Sequence, residues 1–380
     1  MKCSKLISLV TCGLIFIASA VAETGSHTLT NDELWNDKSG NAIQAHDDVI
    51  KVGSKYYWYG MDYSHNIKTG DGNGFRAVKC YESTDLVNWT FKNNVLTSTS
   101  SDLLNVADIK NPQVVYNPNT GNYVMWLTYN TSSTLNNVLV AFCDKPYGNF
   151  RVYRSRFAIN DGSVANSLYV DETGQGYVIT FARDDGDDTW KTFIYGLNNE
   201  YSCIDVMSGK FGSYGICSMG IPIYNTGRAD IIRYNDMYYM FTARKGQKGA
   251  TASSDSDLNL SNYDTTNDGL YFASAEKIAD LASKSGLEKV PCYDDEDYIV
   301  SDKGMEFSSI IRVQGQKGTT FILMFNKWNT TDYAKSTYVW APLEFVKSST
   351  VANYYEPQFH LYDTLTIDAY NGTVTGSFND

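Results

Sequence analysis

One unit recurs along the chain: a short apolar strand, a turn rich in Gly, Asn or Asp, and a second strand carrying Tyr or Phe. It reads VIKVGSKYYWYG at 49–60, VVYNPNTGNYVMWLTY at 114–129, LYVDETGQGYVITFA at 168–182, IIRYNDMYYMFTA at 231–243 and IIRVQGQKGTTFILMFN at 310–326. Tyr57, Tyr123, Tyr177, Tyr239 and Phe321 hold corresponding places in the five copies. Turn pairs such as Asn235-Asp236, set between alternating apolar residues, are β-hairpin signals. Five hairpins with further strands such as NVLVAFCD between them suggest radial repetition. The expectation is an all-β chain forming a five-bladed β-propeller; a two-sheet sandwich would not explain five copies of one hairpin. Helical periodicity is convincing only in SAEKIADLASKSG at 274–286, read as a short surface insertion.

Charge and composition narrow the partners. Charged residues are 19%, aromatics 14%, and the chain holds 29 Tyr, a side chain suited to half-buried strands and to polar ligands. The net charge of −12 argues against nucleic acid and anionic membranes, because no basic patch is left to neutralise phosphates. At the N-terminus, MKCSKL, the apolar ISLVTCGLIFI and the small residues ASAVA read as a signal peptide over 1–22. Its removal takes away Lys2 and Lys5 and makes the chain still more acidic. No later stretch approaches the ~20 apolar residues of a membrane span. The expectation is therefore a secreted, extracellular, monomeric protein with one domain over 23–380.

Cys80, Cys143, Cys203, Cys217 and Cys292 remain after cleavage, an odd set that matches no zinc spacing. Cys203 and Cys217 are candidates to close one loop in an oxidising compartment. Sequons stand at Asn88, Asn130, Asn259, Asn329 and Asn371.

The phrases GNAIQAHDDVIKVGSKYYWYG, CYESTDLVNWTF, NPQVVYNPNTGNYVMWL and KWNTTDYAKSTYVWAPLEF together resemble glycoside hydrolase family 43, nearest its exo-β-1,3-galactanase-like group. The resemblance runs over roughly 33–346. It implies a five-bladed propeller with a glycan pocket at one end of the central channel, removing single sugars from chain ends with inversion. β-1,3-Galactan or arabinogalactan is the implied partner, and no cofactor is implied.

An inverting glycosidase uses a general acid and an opposite group that activates water, ~6.5–9.5 Å apart. In this family the acid is a Glu just ahead of the fourth hairpin. Here ungapped matching puts Gly227 there, and an alternative matching puts a one-residue deletion beside Arg228; neither supplies a Glu. Asp230 is the nearest carboxylate. Strand alternation turns it away from the pocket unless the deletion swings it inward; otherwise it ends a strand or pairs with Arg228. The family's second-sheet carboxylate corresponds to Lys110, its third-sheet Asp to Ala165, and the Glu ending WYGE to Met61. Glu306, where exo-galactanases typically carry Gln, goes the other way and is the candidate base, or an acceptor for sugar hydroxyls.

Glu306 and Asp230 are thus the catalytic candidates. His46, Tyr59, Lys110, Asn111, Asn166, Arg228 and Trp328 are the substrate-binding candidates, with Trp126 as a further aromatic support. His46 could bind a sugar, hold a structural cation with Asp47 or Asp48, or close a turn. The acidic run CYDDEDY at 292–298 lacks an EF-hand ligand pattern. No metal site is expected on these grounds. Loss of the acid, ~10²–10⁴ in rate, favours a glycan-binding pseudoglycosidase. The alternatives are an active inverting exo-glycosidase with a relocated acid and an extracellular structural or host-interaction protein.

Overall fold

The computed structural model describes residues 24–64, 75–104, 108–131, 134–155, 165–184, 189–205, 216–218, 226–244, 269–281, 287–293 and 304–379. The expected signal peptide lies outside these residues, as does all of the acidic run beyond Tyr293.

Each hairpin unit opens an antiparallel sheet whose four strands follow chain order. The first sheet is Val49–Val52, Lys55–Met61, Ala77–Ser83 and Thr90–Thr97. The second is Asp108–Asn117, Asn122–Thr131, Thr134–Cys143 and Arg151–Ser155. The third is Ala165–Val170, Gly176–Asp184, Thr189–Gly196 and Ile216–Ser218. Thr226–Tyr234, Met237–Arg244, Gly269–Ala275 and Glu288–Lys289 form the fourth. Met305–Gln314, Thr319–Lys327, Thr337–Lys347 and Tyr355–Phe359 form the fifth. The turn chemistry is as read: Asn235 and Asp236 both adopt positive φ, as a two-residue hairpin turn requires, between the paired Tyr234 and Met237.

The expected count of five is wrong, for the propeller has six sheets. The sixth has three strands, His27–Thr30, Thr364–Asp368 and Thr373–Ser377, and joins the two ends of the described chain. Its register, Leu29 opposite Leu365, links residues more than three hundred positions apart. No local repeat advertises such a pairing, which is why the hairpin count missed it.

Strand alternation explains the core. Tyr57, Tyr59 and Met61 enter the seam shared with the second sheet, while Tyr56 and Trp58 face the opposite seam. Further clusters fill the seams between the second and third, third and fourth, and fourth and fifth sheets. The sixth sheet packs Leu29, Leu365 and Ile367 against Trp58 and Trp340, closing the seam between the first and fifth. The five equivalent aromatics of the repeat are all buried, each worth about 1.5–3 kcal/mol as a buried side chain.

Outside the sheets, the described helix of the 274–286 segment is a single turn, Ile278–Leu281, with Ile278 and Leu281 buried and Ala279 and Asp280 exposed. Cys203 carries a free thiol, and the side chain of Cys217, its expected partner, lies outside the described part. No helix among the described residues is long and apolar enough to cross a membrane.

Candidate functional site

The first strands of the five four-stranded sheets pack each against the next, and the fifth against the first. Their leading residues therefore converge on one axis. Three of these strands are irregular just there: register shifts fall between Lys110 and Gln113, between Thr226 and Ala229, and between Phe307 and Ser309. A bulge turns a side chain out of the regular alternation. The residues released are Asn111, Arg228 and Ser308. Asn111 has φ 52°, in the left-handed region that Asn tolerates better than most residues.

Arg228 is buried at the centre of this convergence. One terminal nitrogen donates to Ser308 Oγ at 3.1 Å; the other donates to Asp47 Oδ1 and Asn111 Oδ1. A single guanidinium thus joins the first, second, fourth and fifth sheets. Burial works against its charge, but Asp47 and Glu306 outweigh that and hold it cationic. Burial pushes the Asp47 carboxyl above its ordinary range; Arg228 opposes this and Glu306 adds to it. Arg228 pairs with Asp47, not with Asp230.

The segment carrying Asp47 is pinned against the first hairpin. The Asp47 amide donates to Tyr59 O at 3.2 Å and the Tyr59 amide to Asp48 O at 2.8 Å. A Cβ on Gly60 would lie 2.4 Å from His46 N and 2.5 Å from Ala45 Cα, so only glycine admits this approach.

His46 is buried beside the axis, its ring stacked on Tyr338 at 4.6 Å between centroids and tilted against Trp328 at the same separation. Its Nε2 lies 3.3 Å from Tyr338 Oη. Its backbone carbonyl accepts from Ser308 Oγ and from Asn326 Nδ2, each at 2.7 Å. Burial lowers its pKa to about 3, so the imidazole is neutral at any ordinary pH. Trp328 in turn donates its indole N–H to Glu306 Oε2, and Tyr63 packs edge-on against both Trp328 and His46. A half-buried carboxylate with a partly exposed indole beside it is a surface that can offer hydrogen bonds and a flat apolar face to a polar ring compound.

Asp230 is turned elsewhere. Oδ1 accepts from Ile231 N at 2.8 Å; Oδ2 accepts from Ile310 N at 2.8 Å and Ser309 Oγ at 3.2 Å. Burial raises its pKa to about 6, and these bonds oppose the rise. Asp48 accepts from Val114 N at 2.9 Å and lies 3.5 Å from the same Ser309 hydroxyl. Burial, with Asp230 adding to it, raises Asp48 to about 7. Both carboxyls border an axial cavity of about 390 Å³ whose lining also includes Val114, Leu168, Ile232 and Ile310. Glu306 is not part of that lining.

The other candidates divide. Tyr59 is fully buried and donates to Pro146 O at 2.8 Å within a seam between sheets. Trp126 is likewise core, its indole N–H bonded to Tyr201 O. Lys110 is half-buried beside the Asn111 bulge. Asn166 pairs with Thr180 along its strand, and its side chain lies outside the described part. Ser308, Tyr63, Tyr338 and Asn326 escaped sequence reading, and Asp47 entered it only as a possible cation ligand. Among the described residues no group of three or more His, Cys, Asp or Glu is arranged to hold a metal ion.

The family model for glycosyl hydrolases family 43 matches residues 41–268. No curated protein sequence matches the chain. Among solved structures, an exo-β-1,3-galactanase from Clostridium thermocellum is 26% identical, with a TM-score of 0.70 over 93% of this chain and 69% of that one. An exo-β-1,3-galactanase from Phanerochaete chrysosporium, solved with galactose, is 21% identical at TM-score 0.70, covering 92% of this chain and 71% of that one. A putative exo-β-1,3-galactanase from Bifidobacterium bifidum is 21% identical at TM-score 0.64, covering 87% and 95% respectively.

Proposed function

This chain belongs to glycosyl hydrolases family 43, and from that premise we propose that it is a secreted protein that binds galactan-type glycans at the mouth of its propeller without efficiently cleaving them. The observation that carries this reading is Arg228. Beside the position where the family resemblance leads one to expect a protonated carboxyl, the chain presents a guanidinium held by Asp47, Asn111 and Ser308. A guanidinium stays charged and cannot deliver a proton to a leaving sugar oxygen. The nearest following carboxyl, Asp230, has both oxygens engaged by backbone amides.

Glu306 and Trp328 form the remaining glycan-facing pair in this reading, one accepting sugar hydroxyls and the other covering a sugar face. The galactan class is suggested by the exo-β-1,3-galactanase relatives. The test is incubation of the purified protein with β-1,3-galactan, with calorimetry for binding and chromatography for released galactose. Binding without release is expected. Turnover that disappears in Glu306→Gln would overturn the reading.

A second reading, an active inverting hydrolase, is favoured by one observation: Asp47, raised by burial, lies close enough to Glu306 for the two charges to influence each other. A carboxyl whose proton is held more tightly than usual beside a second carboxylate is the electrostatic pattern of an acid and base pair. In that case turnover is present and is lost in Asp47→Asn as well as in Glu306→Gln.

A further inference from the structure

A large concavity among the described residues lies off the axis. It is a cleft of about 1350 Å³ on the flank of the propeller, between the outer strands of the first and second sheets. One wall is the end of Thr90–Thr97 and the turn after it; the other is Arg151–Ser155 with the loop before it. The two walls are tied by the Phe150 amide, which donates to Val95 O at 2.7 Å, and by Asn93, which donates to Asn149 Oδ1 at 2.8 Å. The cleft is therefore a fixed feature between two sheets and not a gap between loose loops.

Its chemistry is specific. The lining is dominated by hydroxyls and amides, among them Thr99, Ser100, Asn94 and Asn122. Among the described residues the side chains of Asn94, Asn122 and Arg151 have no hydrogen-bond or ion-pair partner. Thus donors and acceptors line the cleft with nothing of the protein to satisfy them. Tyr153 lines it with 60% of its surface exposed, and its ring is held edge-to-face by Phe142 at 5.1 Å and 79°. The charged groups in the lining, Asp102, Asp144 and Arg151, leave a single net negative charge. An anchored aromatic face among uncharged amides and hydroxyls suits a ligand that has many hydroxyls, apolar ring faces and no net charge. The volume exceeds the roughly 300–1,000 Å³ of a small-molecule site, which favours a chain over a single ring.

We infer that this flank cleft is a second glycan-binding site, which holds an extended stretch of neutral polysaccharide away from the channel mouth. The choice of glycan as occupant rests on the reading that the protein handles galactan-type chains. The site would raise the apparent affinity for polymers by tethering, without a matching effect on short oligosaccharides that reach only one site.

The experiment compares long β-1,3-galactan with β-1,3-galactobiose by calorimetry, for the unmodified protein, Tyr153→Ala and the double variant Asn94→Ala/Arg151→Ala. All three substitutions are at exposed positions, and melting curves check that each variant is folded. Polymer affinity is expected to fall roughly tenfold in Tyr153→Ala, with disaccharide affinity unchanged. Hydrogen exchange on the unmodified protein should show polymer-dependent protection at 94–102 and 151–153. Unchanged polymer affinity in both variants, or protection confined to the channel mouth, overturns the cleft as a site while leaving the galactan reading intact. Failure of the unmodified protein to bind either ligand overturns both.

Discussion

Replacing Asp48 with Asn should stabilise the protein at alkaline pH and do little at acid pH. Asp48 sits on the axis with Val114 N and Ser309 Oγ within reach, and with Asp230, Asp47 and Arg228 acting on it electrostatically. Its pKa is raised from 3.8 to about 7. A carboxyl that binds its proton more tightly in the folded than in the unfolded chain contributes stability that is fully present below about pH 4. That contribution is lost as pH rises through about 7. At 1.36 kcal/mol per pH unit the full change amounts to about 4 kcal/mol. Asp48 borders a cavity that water can enter, so about half, ~2 kcal/mol, is the working figure. Asn keeps an acceptor for the Val114 amide and removes the charge. For a chain of this length, ~2 kcal/mol corresponds to a rise in Tm of about 3 °C. Urea unfolding of both proteins at pH 4.5 and pH 8 reads this directly: the gap between variant and parent should open with pH. A gap independent of pH, or a variant less stable than the parent at pH 8, would refute the argument.

Asp230 provides a contrast. Asp230→Asn should be destabilising by about 1–3 kcal/mol at acid pH, because its two carboxyl oxygens each accept from a backbone amide and an Asn amide group cannot replace both. The deficit should narrow as pH rises through about 6, where the raised pKa costs the ionised parent stability. Arg228→Ala should cost about 3–5 kcal/mol in chemical denaturation by leaving Asp47 buried without its cation; Arg228→Lys should recover little, since one ammonium cannot reproduce the forked contacts. Gly60→Ala should lower stability by about 3 kcal/mol or more, or prevent folding, visible in soluble yield and thermal melts. The His46 ring resonances, followed by NMR, should stay those of neutral imidazole from pH 8 to pH 5, since its pKa is lowered to about 3.

How far the site was legible depended on the distance over which each decision is made. Asn235-Asp236 can be read as a hairpin turn because its constraint is confined to two residues. The absence of a Glu ahead of the fourth hairpin was equally plain, and the structure adds the reason the local alignment was ambiguous: a bulge at Thr226–Ala229 breaks the alternation there. A bulge is set by what the strand must meet across the axis, and a one-dimensional pattern does not contain that. Strand parity turned Asp230 away from the pocket; its bonds to Ile231 and Ile310 now account for where its oxygens go. Tyr59 and Trp126 looked like sugar platforms because aromatic residues serve cores and ligands alike; only burial separates the two uses.

The amino-acid order alone determined the all-β character, the five hairpin units with their buried aromatics, and the family, because alternation and turn chemistry act between near neighbours. Tertiary structure decided the sixth sheet, the joining of four sheets by Arg228, and the engagement of both Asp230 oxygens by backbone amides. These depend on contacts between residues far apart in the chain, where position in space, and not local preference, selects the partner.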